Sequence, residues 1–173
     1  MADVHSPEVR SKNMQAIRGR DTKPELIIRK GLHHLGFRYR ISPPELPGKP
    51  DLYFPKYRAV IFVHGCFWHA HGCYMFHLPA TRREFWKEKL NKNIQRDKKV
   101  TQSLLDKGLR VLVVWECAVK GRKKIKKELL LDCIARWVRS GGIHSVANIN
   151  GVRDVRETEG CVHNCCGKIS DEC

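Results

Sequence analysis

Two runs of apolar, largely β-branched residues, AVIFV at 59–63 and LRVLVVW at 109–115, are separated by one long charged segment instead of a turn. A run that is apolar at successive positions reads as a strand buried on both faces, the character of a central strand in a covered sheet. Between them, Thr81 followed three positions later by Glu84 is a capping-box pattern. It predicts a helix over about 82–107 that stops near Gly108. A strand, helix and strand in this order make a right-handed crossover, so the two strands are expected to be parallel with their C-terminal ends side by side. This unit demands an α/β fold with a mixed central sheet flanked by helices, and ligands in such sheets bind at those strand ends.

The remaining elements are read outward from that unit. Ser6, Pro7 and Glu8 open a basic first helix that runs to about Arg18 and is ended by Gly19. Thr22 and Glu25 form a second capping box, with Pro24 in the first turn. Leu26, Ile27, Leu32 and Leu35 then line one side of a helix stopped by Gly36. FRYRI at 37–41 alternates apolar and cationic residues, as a half-exposed strand does, and PPELPGKP cannot be regular structure. DLYF at 51–54 joins 59–63 through PKYR as a hairpin. GRKKIKKELLLDCIARWVRSGG is an amphipathic helix with a strongly basic start, Ile125, Leu129, Leu130, Ile134, Trp137 and Val138 on its apolar stripe and Cys133 on the same side as core. Periodicity is lost from about 142, and CVHNCCGKISDEC reads as a loose tail, a disordered extension in preference to a second metal site. With 173 residues and 42% hydrophobic content the expectation is one domain: an N-terminal arm over 1–20, a core over 21–142 and a tail over 143–173.

Lys and Arg total 33 against 18 Asp and Glu, a formal charge of +15, which points to a polyanionic partner, nucleic acid ahead of anionic membrane. No apolar run is long enough to span a bilayer, and MADVHSPEVR lacks the apolar core of a signal peptide. The expected location is cytoplasmic, where eight cysteines stay reduced and their clustering with histidine favours metal over cystine.

That clustering is densest in HGCFWHAHGC, residues 64–73. A hairpin turning near 56 sets Asp51 across from residues 62 and 63, at the end of the central strand. The parallel strand delivers Glu116 and Cys117 to the same end. Cys66, His71, Cys73 and Cys117 thus make a Cys3His set for tetrahedral zinc, with no open position and hence a structural role. Spacing does not fully separate His69 from His71 as the ligand, and His71 is preferred. Small buried cysteines with surface histidines are the alternative, which suits a lone pair better than this cluster.

Together with FVHGCFWHAHGCY, the segments RSKNMQAIRGRDTKPE, PGKPDLYF, ATRREFWKEKLNKNIQRD and LVVWECA closely resemble the very-short-patch repair (Vsr) endonucleases over roughly residues 9–140. The resemblance implies a restriction-endonuclease-like core, a structural zinc, and Mg2+-dependent nicking of double-stranded DNA 5′ to the thymine of a T·G mismatch left by 5-methylcytosine deamination. It implies the mismatch-repair protein MutL as a helper and a monomer that associates with the nucleoid when acting. By motif, Asp51 and the backbone carbonyl of Val63 are implied as the magnesium ligands and His69 as the general base, with His64 and Glu25 in support. Phe67, Trp68 and Trp86 are implied as a wedge beside the mismatch, and Met14 approaches from the opposite groove. Val63 stands where threonine is common and Ala70 where a further histidine occurs; neither exchange removes an assigned ligand.

Elementary chemistry bears on these roles. Oxygen ligands suit magnesium, and with no Glu-x-Lys pattern on the central strand, FVHG, a histidine with pKa near 6.5 is the natural base. Several residues keep a second reading. Asp51 could close a turn, Glu25 is equally a capping residue, and His64 is nearly as readily a satisfied structural histidine. Phe67 and Trp68 could be core, although aromatic side chains on a short loop stack on bases for roughly 1–3 kcal/mol each. Lys87, Lys89 and Lys92 hold phosphates or form a solvated helix face. A restriction-type nuclease of paired DNA and a non-catalytic zinc DNA-binding module are the competing functions.

Overall fold

The computed structural model describes residues 8, 9, 12 and 19–155. Helix α1 spans Lys23–His34, strand β1 Leu52–Phe54, β2 Ala59–His64, helix α2 Arg83–Asp106 and β3 Arg110–Trp115. There follow the short α3 over Glu116–Val119, α4 over Lys127–Ser140, β4 over His144–Asn148 and β5 over Gly151–Asp154. The five strands form one mixed sheet in the order β1-β2-β3-β4-β5.

The crossover unit is as the apolar runs demand. β2 and β3 are parallel, Val63 opposite Val114 and His64 opposite Trp115. The hairpin register pairs Leu52 with Ile61 and Phe54 with Ala59, so Asp51 falls opposite residue 62 at the far end. Its turn is a single 3-10 turn over Pro55–Tyr57 closed by Arg58 in the left-handed region. On one face of the sheet, α1 and α4 cover Leu52, Phe54, Ile61, Leu112 and Val114; on the other, α2 covers Val60, Val111 and Val113 with Leu104 and Leu109. Burying both faces is what makes β2 and β3 apolar throughout.

Five expectations need correction. The FRYRI segment is not a strand: only Arg40 makes an isolated bridge, to Tyr53, because Phe37 and Tyr39 turn inward against Phe54. The Thr81–Glu84 capping box is not used, since α2 starts at Arg83 with Arg82 at its N-cap in the left-handed region and no side-chain cap. The buried face of α1 carries Ile28, Arg29 and Leu32, and Leu35 is 48% exposed. In α4, Leu131 and Ala135 are buried where Leu129 was expected, and Cys133 is only half-buried, accepting a hydrogen bond from Arg136. Regular structure does not end near 142, because β4 pairs parallel with β3 and β5 antiparallel with β4. These two strands are short and polar in part, and a buried Ser145 ties them in by accepting from Trp137 Nε1 at 2.8 Å and donating to Asp154. The first helix as a whole, Met14 and the cysteine-rich tail from residue 156 lie outside the described residues.

α1 and α4 approach closely at Gly31, where an added Cβ would stand 2.3 Å from Leu131 Cδ1. Gly31→Ala is therefore expected to force repacking of Leu131 and to lower stability by about 1–3 kcal/mol, read from the midpoint of a urea melt. No helix among the described residues is long and apolar enough to cross a membrane.

Candidate active site and metal centre

The strand ends deliver their residues to one place. Asp51 sits just before β1 and its Oδ2 accepts the Val63 N–H at 2.7 Å, so the carboxylate is fixed against the end of the central strand. Burial is the main reason its pKa rises to about 6, with the nearby Glu25 carboxylate adding to the rise; the Val63 hydrogen bond and the charges of Arg29 and His69 oppose it. A largely buried acid of this kind calls for a cation.

From β2 the chain passes into the loop that closes on itself through the His71 N–H bond to the Cys66 carbonyl at 2.9 Å. His69 lies on this loop. Its Nδ1 meets Asp97 Oδ2 at 2.5 Å, and its ring stacks on His64 with centroids 3.8 Å apart and planes within 5°. Burial pushes the Asp97 carboxyl up, but the hydrogen bond and charge of His69, aided by His64 and Arg96, outweigh it and hold the group below the ordinary carboxylate range. Asp97 was missed from the sequence. It stands 28 residues from His69 on α2, and the available signal was its position one turn after Asn93, which donates to the Trp68 carbonyl at 2.9 Å. Two polar side chains at i and i+4 thus face the loop together.

The Thr22–Glu25 capping box is not formed, since Thr22 makes no side-chain cap: Glu25, buried in the first turn of α1, instead accepts from Asp21 N at 2.9 Å, Thr22 Oγ1 at 2.8 Å and Arg29 at 2.9 Å. It also lines a cleft of about 740 Å3 with Lys23, Val63, His64, Trp68 and His69. Its bonds to Asp21, Thr22 and Arg29 thus fix a carboxylate at the cleft wall.

Phe67, Trp68 and Trp86 form one half-buried aromatic group, with ring centroids 5.1 Å (Phe67–Trp68), 5.3 Å (Phe67–Trp86) and 6.2 Å (Trp68–Trp86) apart. Lys89 Nζ lies 5.5 Å from the Trp68 ring and 5.3 Å from Trp86, while Lys87 pairs with Glu84 at 3.3 Å. Phe67 and Trp68 also line the cleft, so they are not simply core.

Behind the aromatics, ligand atoms of Cys66, His71, Cys73 and Cys117 all lie within 4.8 Å of one another, able to hold a metal. His71 Nδ1 is 3.6 Å from the sulfurs of Cys66 and Cys117, and its ring stacks on Trp115 at 4.1 Å. His71, and not His69, therefore faces the sulfurs. The thiols share their protons unevenly: hydrogen bonding from Cys66 brings Cys117 down to about 4, and Cys66 is pushed up in turn. Crowded, buried sulfurs with one acidic member are the donor set a soft divalent ion binds. Glu116 supports the arrangement by accepting the Cys66 N–H at 3.1 Å and pairing with Lys120.

Comparison with known proteins gives the family. The family model described as DNA mismatch endonuclease Vsr matches residues 2–75. The chain is 46% identical over 152 residues to the DNA mismatch endonuclease Vsr of Escherichia coli strain K12, covering 88% of this chain and 97% of that relative. It is 46% identical over 117 residues to the type II nicking enzyme V.XorIIP of Xanthomonas oryzae, covering 68% of this chain and 86% of the relative. The type II nicking enzyme V.NmeAIP of Neisseria meningitidis is 42% identical over 129 residues, 75% of this chain and 92% of its own length. A match at this identity over nearly the whole of the first relative places the chain in the Vsr family of DNA mismatch endonucleases.

Proposed function

We propose that this protein is a strand-specific mismatch endonuclease that nicks double-stranded DNA 5′ to the thymine of a T·G pair arising from 5-methylcytosine deamination, so starting very-short-patch repair. The observation that carries the reading is the His69–Asp97 pair beside a cleft lined by Val63, Phe67 and Trp68, with the Asp51 carboxylate fixed on the Val63 N–H and feeling the charge of His69.

Asp51 and the Val63 carbonyl are assigned to magnesium, for which a largely buried carboxylate at a strand end is a fitting donor. When bound, the ion supplies charge neutralisation at phosphate and a more acidic water. His69 is the assigned base. With Nδ1 directed to the Asp97 carboxylate, the neutral ring carries its proton there and leaves Nε2 to accept one from the attacking water. Asp97 acts as a positioning residue, and His64, stacked on the His69 ring, limits its rotation. Glu25 orders the cleft rim from the start of α1. Phe67, Trp68 and Trp86 are assigned to the base stack, where insertion costs less at a mismatch because less pairing is given up. Lys87 and Lys89 then meet phosphates and Met14 of the N-terminal arm, residues 1–20, lies against the opposite groove. Cys66, His71, Cys73 and Cys117 are assigned to structural zinc, with the catalytic body running from residue 21 through β5 at Asp154. A monomer acting on nucleoid DNA in the cytoplasm, with MutL as helper, completes the reading.

The test is a duplex bearing one T·G mismatch in a methylation-site context. A magnesium-dependent nick in the thymine strand supports the proposal. Cleavage of both strands of fully paired DNA would favour a restriction-type nuclease, and tight binding without any cleavage a zinc DNA-binding module. Asp97→Asn is expected to slow nicking by about 10²-fold or more at unchanged DNA affinity and to displace the acid-side pH limb of the rate, because the Asp97 charge no longer faces the His69 ring; an unaltered rate and pH profile would remove Asp97 from the mechanism.

A further inference from the structure

The basic start noted ahead of α4 takes no part in the site just described. Lys120, Arg122, Lys123, Lys124, Lys126 and Lys127 fall within eight positions, all exposed, and among the described residues Lys120 alone of these pairs with an acid, Glu116. Long cationic side chains in solvent are ordinary. What is not ordinary is the way this loop is held. Tyr74, immediately after the ligand-type Cys73, accepts the Lys123 N–H on its hydroxyl at 3.2 Å. The cations of Arg122 and Lys123 lie 5.3 Å and 5.6 Å from the Tyr74 ring centroid. Gly121 adopts φ +93°, and a Cβ there would stand 2.4 Å from the Tyr74 hydroxyl and 3.2 Å from Met75 Sδ. The Met75 N–H in turn points at Cys73 Sγ, 3.4 Å away. At the loop's other end, Ile125 N–H bonds to the Ala118 carbonyl at 3.0 Å and the Ile125 side chain packs on the core. The loop is pinned at both ends, to the metal loop and to the sheet.

Position completes the case. Lys120 and Glu116 line the same cleft as Trp68 and His69, so the loop begins at the cleft rim. The cationic contacts proposed above lie on α2, reached through Trp86 and Lys89, whereas this loop rises from the end of β3 through α3. A polyanion crossing the cleft would meet positive charge from both elements.

We propose that residues 120–124 form a second phosphate clamp, a backbone-gripping loop set in place by Tyr74 of the metal loop, with Arg122, Lys123 and Lys124 neutralising duplex phosphates independently of sequence. This rests on the DNA-directed reading above. Arg122 and Lys123 are held over a ring, so less side-chain freedom is lost on binding than for a free lysine. The clamp contributes affinity and register and no mismatch discrimination.

The test is binding of the full-length, metal-replete protein to T·G-mismatched and fully paired duplexes across a salt series. Each phosphate contact contributes about 0.9 to the slope of log K against log salt, so the triple substitution Arg122→Ala, Lys123→Ala, Lys124→Ala is expected to reduce the slope by about 2 to 3 on both duplexes. The ratio between the two affinities, and the single-turnover nicking rate at saturating protein, are expected to stay as in the parent. Gly121→Ala, which keeps every charge but displaces the loop from Tyr74, is expected to reduce the slope in the same direction. A slope unchanged in the triple variant, or a loss confined to mismatched DNA, would overturn the clamp. If the parent protein nicks nothing, the functional reading fails while the salt slope still decides the clamp, so the two failures are distinguishable.

Discussion

Asp51→Ala is expected to lower the nicking rate by about 10³-fold or more, the several kcal/mol of transition-state stabilisation that a metal-anchoring carboxylate supports. Binding to mismatched DNA should persist, since the aromatic group and the lysines are untouched. The paired variant Asp51→Asn separates chemistry from folding. In the metal-free protein the buried Asp51 carboxyl titrates at about 6 against an ordinary value of 3.8. The folded state therefore holds the proton more tightly than the unfolded chain. Stability is favoured below about pH 4, declines as pH rises through 4–6, and is level above. The ionised group costs up to about 3 kcal/mol at neutral pH, from a shift of roughly two pH units. Asn can still accept the Val63 N–H, so Asp51→Asn is expected to raise the metal-free melting temperature at pH 7 and to flatten its pH dependence between 4 and 6, while abolishing nicking. A variant that melts lower than the parent at pH 7 and retains cutting would contradict both parts.

Removal of the metal from the cysteine–histidine cluster is the second large effect. To the core cluster beneath it the loop over 64–76 gives one fully buried residue, Cys66, with Cys73, Tyr74 and Met75 packed against it in part. Its backbone is held by turns, among them Ala70 in the left-handed region. Structural zinc sites contribute apparent binding free energies on the order of 10 kcal/mol, comparable to the whole stability of a domain. Cys117→Ser, or treatment with a strong zinc chelator, is thus expected to loosen this loop, release His69 and the aromatic group together, and abolish nicking even with magnesium restored. Full activity in protein shown by elemental analysis to lack zinc would defeat the structural role. Protection of loop amides from hydrogen exchange would report the same change without reference to activity.

How far the sequence reached depended on whether a feature was local or periodic. The parallel pair β2 and β3, the hairpin and the long helix were legible because apolar runs and breakers act over neighbouring residues. Asp51 opposite the end of β2 was also legible, because antiparallel register is arithmetic. Even Cys117 followed, being the one cysteine the crossover returns to the loop. The strands β4 and β5 were not legible: their residues mix polar and apolar, and what keeps them in the sheet is a buried Ser145 bonded to Trp137 and Asp154. FRYRI failed as a strand because its alternation served packing against Phe54 and not a ladder.

By itself, the sequence determined the central crossover, the carboxylate at the strand end and the three cysteines of the cluster, since each follows from residue spacing within one element or from register between two. Only the tertiary structure decided that Asp97 holds His69, that His71 and not His69 faces Cys117, and that Tyr74 carries a basic loop. These are contacts between side chains far apart in the chain, whose meeting depends on how helices and loops pack on the sheet, and no periodicity along the chain encodes that distance.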